Sequence, residues 1–340
     1  MRNNDKDNLV EDRIICNFWM RILALLIDCI CLFLIGIFLS IWFSKQFVQM
    51  GGWGRLVGFL ITICYFGILN SRIGKGQTIG KKITNIHVVG WHGQFISFGR
   101  SLLRSGILVL PYFLNKIMLP QLTPILLINI INFIIFGVGI GVIYFYVFNK
   151  KTRQSLHDLI CKTYVTKTDT TGQVRFNKVA RIHYIVFLLC SIFIVIFQVI
   201  AVPKLIQKEA LDNILVLQKK LYEIEKVSFV SASDMKYVIF TSSGTDTVNT
   251  IEVGVRYKEK PMDFERSARE IAQVILNNYP KSRYKDKIGM VIYYGYDIGI
   301  IYWWLKFPIS LSPSEWEKRL KNQGKQLSLM QQNIKLGGLR

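Results

Sequence analysis

Apolar residues are gathered into long blocks separated by short basic stretches. About 20 residues of helix cross a hydrocarbon core of about 30 Å, so apolar runs of about 18 or more read as membrane spans. Residues 22–43, 125–148 and 182–202 qualify outright. Residues 52–70 qualify with Arg55 snorkelling to the interface. Residues 101–119 form a weaker block that carries Arg104, Pro111, Asn115 and Lys116. The first block is too long for a signal peptide and lacks a small-residue cleavage site. Beyond residue 204 the pattern changes to short β-like runs and amphipathic helices.

Charge orients the blocks, because loops on the cytoplasmic side carry the Lys and Arg. The N-terminal tail (1–21), loop 71–104 and loop 149–181 are all basic, and the short stretches 44–54 and 116–124 hold only Lys45 and Lys116. The three basic regions are therefore placed in the cytoplasm. The chain leaves that side at 104 and is back at 149, which requires an even number of crossings. Segment 101–119 then counts as a poor span kinked at Pro111, with a re-entrant or interfacial helix as the alternative. The fifth block delivers residues 204–340 to the outside.

The net charge of +21 does not point to nucleic acid. Residues 1–203 hold 21 basic and 7 acidic residues, a net of +14, and residues 204–340 hold 22 and 15, a net of +7. Most of the excess is the signature of cytoplasmic loops facing anionic lipid. No basic stripe with interleaved aromatics appears.

One acid interrupts this apolar chain. Asp28, inside the first block, is the only Asp or Glu in the five blocks, and none follows until Asp158. A charged Asp at a helix centre costs about 2.5–3.5 kcal/mol on insertion scales. It needs a cation from another helix or a bound proton. Arg21 is two turns away, roughly 10 Å along the helix, too far to pair directly. Arg104 is the best candidate cation, with Arg100 and Lys81 next.

Arg21 and Asp28, then "GQTIGKKITNIHVV" (76–89), then "RQSLHDLICKTYVTK" (153–167), resemble the RDD family of membrane proteins over residues 14–168. That family is named for an arginine and two aspartates. The resemblance places its motifs at Thr78, Gly80 and Lys81 and at His157 and Asp158, and it implies ion or solute transport. Where the family usually has a second Asp in the first span, this chain has Cys29.

Other motifs add less. "GKGQTIGKK" fails as a phosphate-binding loop, since no Gly precedes Gly80–Lys81 by the required spacing and Lys82 follows Lys81. Residues 83–97, with a turn at Gly93, and residues 162–167 read as a small cytoplasmic β element. Asn129 and Asn132 share a helix face and could line a polar path or bond between helices. Gly137 and Gly141 form a small-xxx-small pair suited to close helix packing. Cys29 and Cys31 lie about 200° apart around a helix and do not face one ligand.

Residues 204–325 read as an α+β domain: a helix at 205–226, strands at 227–232, 237–242 and 249–258, a helix at 262–278, strands at 288–294 and 299–307, and a last helix near 313–326. Residues 326–340 read as a disordered tail. All four His and all six Cys precede residue 204. A His base, a Cys nucleophile or a His/Cys metal site in that domain is excluded. No enzyme, cofactor or metal is expected.

The expected fold is a membrane all-α polytopic bundle of five spans with a small cytoplasmic β element, then a soluble α+β C-terminal domain. Its parts are a cytoplasmic tail (1–21), a four-span module (22–168), a basic linker (169–181), a fifth span (182–202) and the extracytoplasmic domain, in the plasma membrane. Two functions are open. One is ion- or proton-coupled transport with Asp28 as the intramembrane site, where one acid among five helices suggests a homo-oligomer. The other is a non-catalytic scaffold whose outer domain binds a protein partner.

Overall fold

A computed structural model describes residues 15–115, 124–168, 178–201, 208–241 and 244–322. The chain divides into two compact units. The first holds residues up to Phe47, Gly52–Leu205 and Asp297–Tyr302, and the second holds Val48–Gly51, Ile206–Tyr296 and the chain from Trp303 onward.

The first unit is helical. Among the described residues, three stretches are long and apolar enough to cross a membrane: Phe18–Leu69, Ile125–Phe148 and Arg181–Ile200. The first of these is two helices, α1 (Phe18–Met50) and α2 (Gly54–Leu69), joined by a tight turn at Gly51–Trp53. Gly51 has φ +58°, which a residue without a Cβ adopts at no steric cost. The Tyr65 hydroxyl donates to Asp28 at 2.7 Å, so α2 returns along α1 and the blocks 22–43 and 52–70 form a hairpin. Helix α3 (Ile79–Ile83) is a single turn capped by Thr78, and α4 spans Phe98–Leu114. At 1.5 Å per residue α4 is about 25 Å long, shorter than a hydrocarbon core. The rest of block 101–119, with Lys116, lies outside the described residues. Helix α5 (Ile125–Phe148) contains one π-helical stretch at Phe133–Val138. A short helix α6 (Leu156–Ile160) follows, and α7 (Arg181–Ile196) has no buried residue.

The β element expected from 83–97 and 162–167 is a two-stranded antiparallel sheet of β1 (Ile86–Gly90) and β2 (Thr163–Lys167), with Val88 opposite Val165. Its inner residues Ile86, Val88 and Val165 pack with Ile96, Cys16 and Ala24 of the first helix. The sheet is thereby fixed to the end of α1 that carries Arg21 and Asp28.

Two expectations are corrected in this unit. Arg55 does not snorkel: it is buried, donates to the carbonyls of Phe113 (3.1 Å) and Tyr112 (2.8 Å), and pairs with Asp297 at 2.6 Å. Gly137 and Gly141 also differ from each other. A Cβ at Gly141 would come within 2.4 Å of Phe187 on α7, a true helix–helix approach, whereas at Gly137 it would meet Phe133 of its own helix.

In the second unit a four-stranded sheet has the order β3 (Val227–Thr241), β4 (Gly244–Tyr257), β5 (Lys287–Asp297), β6 (Tyr302–Leu311). β3 and β4 are antiparallel, while β4 and β5 are parallel and joined through helix α9 (Phe264–Asn278). Helix α8 (Lys208–Tyr222) precedes the sheet, and a helix at 313–322 follows it. Ile251, Val253 and Val255 of β4 and Ile288, Met290 and Ile292 of β5 form the core with Leu217, Leu221, Ile271, Ile275 and Trp316. The α+β order is as expected, except that runs 227–232 and 237–242 are one strand. Ser233, Asp234 and Lys236 do not interrupt the ladder, since pairing with Glu252, Ile251 and Asn249 runs straight through them. The expected tail 326–340 lies outside the described residues.

Candidate functional site

The residues singled out in the sequence converge on one end of the first unit, but not in the expected pairs. Asp28 accepts three hydrogen bonds: from Tyr65 Oη at 2.7 Å, from Thr78 Oγ1 at 2.6 Å and from the Gly80 amide at 2.8 Å. Among the described residues it has no salt bridge. The expected contact with Arg104 or Arg100 is absent because both arginines are taken elsewhere.

The motif around Thr78 explains itself in this geometry. Thr78 caps α3 by accepting from the Lys81 amide, while its hydroxyl donates to Asp28. Gly80 lies against α1 so closely that a Cβ would stand 2.0 Å from the Ala24 carbonyl oxygen. Only glycine lets the α3 backbone reach Asp28. This turn aims Lys81 inward, where Nζ donates to Asn70 Oδ1 at 2.7 Å and stands 5.9 Å from the Phe66 ring centroid. Burial, then the nearby charge of Arg104, pushes the Lys81 ammonium down to about 7, against the opposing pull of Asp28.

Asp158 is the common partner of both arginines. Arg21 Nη2 donates to it at 2.7 Å, and Arg104 donates through Nη2 (2.7 Å) and Nε (3.0 Å). Thr163 Oγ1 (3.1 Å) and the Ser155 amide (3.2 Å) complete five bonds, the last forming a capping box for α6. Burial alone would raise this carboxyl; Arg104, joined by Arg21, overcomes that and holds it well below the usual carboxylate range. Arg21 also lies over the Tyr146 ring at 4.9 Å and bonds the Arg153 carbonyl. Arg100 donates to the carbonyls of Cys161 and Lys162, closing the turn between α6 and β2.

His157 and Asp158 are neighbours without being a catalytic dyad. Burial, with Arg104 and Arg21 adding to it, lowers the His157 imidazole to about 3 even though Asp158 pulls the other way. The ring is neutral, so its 3.6 Å approach to Asp158 is not an ion pair. Its Nε2 faces Arg104 Nη2 at 3.2 Å.

A cavity of about 370 Å³ opens beside these groups, lined by Arg21, Asp28, Asn70, Lys81, Arg104 and His157 at its polar end. Asn129 and Asn132 are half-buried on α5 and do not line it. No cluster of three metal-ligating side chains occurs among the described residues. Sequence reasoning missed Asp158 as the arginine partner, and also Tyr65 and Asn70. The signal for Asp158 was present: two arginines near membrane ends need a buried acid, and only one other acid occurs before residue 169 once Asp28 and the N-terminal tail are set aside.

Residues 15–162 match the model of the RDD family, the stretch that supplies every residue of this site except Thr163 and Val165. Comparison with curated proteins and with solved structures gave no match.

Proposed function

From the premise that this chain is an RDD-family membrane protein, we propose that it moves a solute or ion with proton coupling, and that Lys81 is the group that exchanges the proton. The observation that carries this reading is a half-buried lysine in the wall of a cavity, poised near neutral pH. A titratable group whose charge is perturbed by desolvation and by named neighbours, in the wall of a cavity, is a candidate for function. Asp28 has a different part in this scheme: accepting from Tyr65, Thr78 and the Gly80 amide, it holds the Lys81 turn in place. In this reading the chain crosses the plasma membrane five times. Residues 1–21, 71–104 and 149–181 face the cytoplasm and its anionic lipid, and residues 204–340 face outward. The basic loops support that orientation.

The test is proton movement in reconstituted vesicles with a trapped pH dye, under an imposed pH gradient and membrane potential. Wild-type protein should carry protons, Lys81→Met should not, and Asp28→Asn should lose part of the rate together with stability. Equal rates for wild type and Lys81→Met would remove Lys81 from the mechanism.

A second reading, a scaffold, is favoured by one feature. The β3–β4 ribbon exposes Met235, Tyr237, Val238, Ile239 and Phe240, the last at 83%. An exposed apolar ribbon is a surface for a protein partner or a second copy. Loss of co-purifying protein or of dimers on Phe240→Ser, with proton movement unchanged, would support that role.

A further inference from the structure

The cavity beside Lys81 has a polar end that offers donors and an apolar side that faces outward. Arg104 can only donate, so the His157 Nε2 that faces it accepts, and the neutral ring carries its proton on Nδ1. That Nδ1 is buried and has no partner. Asn70 repeats the situation. Its Oδ1 accepts from Lys81, and its buried Nδ2 has no partner. Lys81 uses one of its three N–H groups on Asn70 and adds a positive charge. His157, Asn70 and Lys81 all line the same cavity. The acceptors there are already engaged: Asp28 by three donors and, just behind the wall, Asp158 by five. With Lys81 protonated, Arg21, Arg104 and Lys81 outnumber Asp28 and Asp158 by one charge. A buried unpaired donor is costly, so this end is short of an acceptor and of a negative charge.

The other lining residues are apolar, among them Leu25 of α1 and Ile143 and Val147 of α5. These three are exposed at 40%, 65% and 42%, on helical stretches long and apolar enough to cross a membrane. The mouth of the cavity therefore lies on a surface suited to acyl chains, not to water.

We propose that this cavity binds an anionic amphiphile, its oxyanion head on His157 Nδ1, Asn70 Nδ2 and Lys81 Nζ and its apolar body against Leu25, Ile143 and Val147. This rests on the cavity being the working site, and it names the class of ligand. A bare cation is disfavoured there, because the free groups are donors. Binding is linked to a proton: an anion beside Lys81 favours the ammonium, so the site takes up a proton as the ligand enters near neutral pH. The charged and titratable groups facing Lys81 are Arg21 and Asp28 of α1, Tyr65 of α2, Arg104 of α4, and His157 and Asp158 of α6.

The experiment is calorimetric titration of the detergent-solubilised full chain, in a neutral detergent, with dodecanoate, dodecyl phosphate, dodecyltrimethylammonium, acetate and inorganic phosphate. Two buffers of different ionisation enthalpy report the proton. The two dodecyl anions should bind, with proton uptake at pH 7.5 that vanishes in Lys81→Met. Asn70→Leu and His157→Phe should each weaken them about tenfold or more, and Val147→Trp at the mouth should block them. Acetate and inorganic phosphate should bind at least a hundredfold more weakly; equal binding would show a site for free oxyanions and overturn the amphiphile. Equal binding of the cationic amphiphile, or no saturable binding of either anion by a folded protein, would show a water-filled or purely apolar cavity and overturn the proposal. These titrations involve no flux, so binding without proton movement in vesicles would keep this ligand class while defeating the transport reading.

Discussion

Arg104 grips Asp158 with two nitrogens on one carboxylate oxygen, Nη2 at 2.7 Å and Nε at 3.0 Å, across 54 positions of sequence. Arg21 takes the other oxygen. The pair is fully enclosed, with side-chain exposures of 4% and 0%. Asp158 is thus the tie between α1, α4 and α6. Asp158→Asn leaves two arginines in a buried site with one neutral acceptor. Breaking a buried pair by removing one partner costs about 3–5 kcal/mol. Thermal unfolding in detergent should show Asp158→Asn as the most damaging single change in the site, well beyond Arg100→Leu, whose partners are carbonyls near the surface. An unchanged Tm for Asp158→Asn would contradict the tie.

Asp28→Asn is expected to be milder. An amide can still accept from two of the three donors, Tyr65, Thr78 and Gly80, and no salt bridge is broken. The loss should be about 1–3 kcal/mol, the cost of mismatched buried hydrogen bonds. Arg104→Leu should not rescue it, because Arg104 is bonded to Asp158 and not to Asp28. Recovery of stability in the double variant would mean that the two side chains meet after all.

Gly80→Ala tests the close approach of α3 to α1. Its Cβ would lie 2.0 Å from a backbone carbonyl that cannot move aside without bending α1. Overpacking of this kind costs about 1–3 kcal/mol. Gly99→Ala serves as the control, since a Cβ there meets nothing within 4 Å and lies in helix α4. That control should be neutral or slightly stabilising, because Ala is the better helix former. Similar Tm losses for the two variants would place the strain elsewhere.

Much of this architecture is visible in the sequence because it rests on local periodicity. The apolar blocks at 22–43, 125–148 and 182–202, the β1 and β2 strands and the amphipathic helix α9 all have their pattern written within about 20 residues. The motif residues Thr78, Gly80, Lys81, His157 and Asp158 do gather in one place. Their pairing was not readable. Asp28 and Asp158 each needed a partner, and several cations and donors stood within plausible reach. Only the positions of α3 and α6 decide between them, and those are set by the two-stranded sheet that joins distant segments, the shortest step being from Gly90 to its partner Thr163, 73 residues on. β3 reads as two runs in the sequence because Ser233, Asp234 and Lys236 break the apolar pattern, although pairing with β4 continues through them.

Stability against pH follows from His157 and Lys81, and the sign is the same for both. Each has a folded-state value below its unfolded one, about 3 for His157 and about 7 for Lys81, against 6.5 and 10.5. Between the two values the unfolded chain binds more protons, so stability rises with pH. His157 makes the protein less stable as pH falls from about 6.5 toward 3, and Lys81 adds a gain as pH rises from about 7 toward 10.5. Tm in detergent should climb over both windows. His157→Gln should flatten the acid window only, and Lys81→Met the alkaline window only. A slope that survives Lys81→Met above pH 7 would move its origin to another group.

The orientation of the chain is open to a direct test. Positions with good side-chain access on the relevant segments are Trp91, Ile160 and Tyr284, exposed at 39%, 53% and 88%. Each is replaced by Cys in a background where the six native cysteines, Cys16, Cys29, Cys31, Cys64, Cys161 and Cys190, are removed. Trp91→Cys and Ile160→Cys lie in basic loops and should react with a membrane-impermeant maleimide only after the cells are opened. Tyr284→Cys should react in intact cells. The contrast follows from parity. Loops 71–104 and 149–181 carry the same charge signature, so an even number of crossings lies between them, and one further apolar helix, α7, separates the second loop from the C-terminal unit. Labelling of Ile160→Cys from outside, with Trp91→Cys still protected, would leave an odd number of crossings between them. It would make α4 an interfacial helix instead of a span.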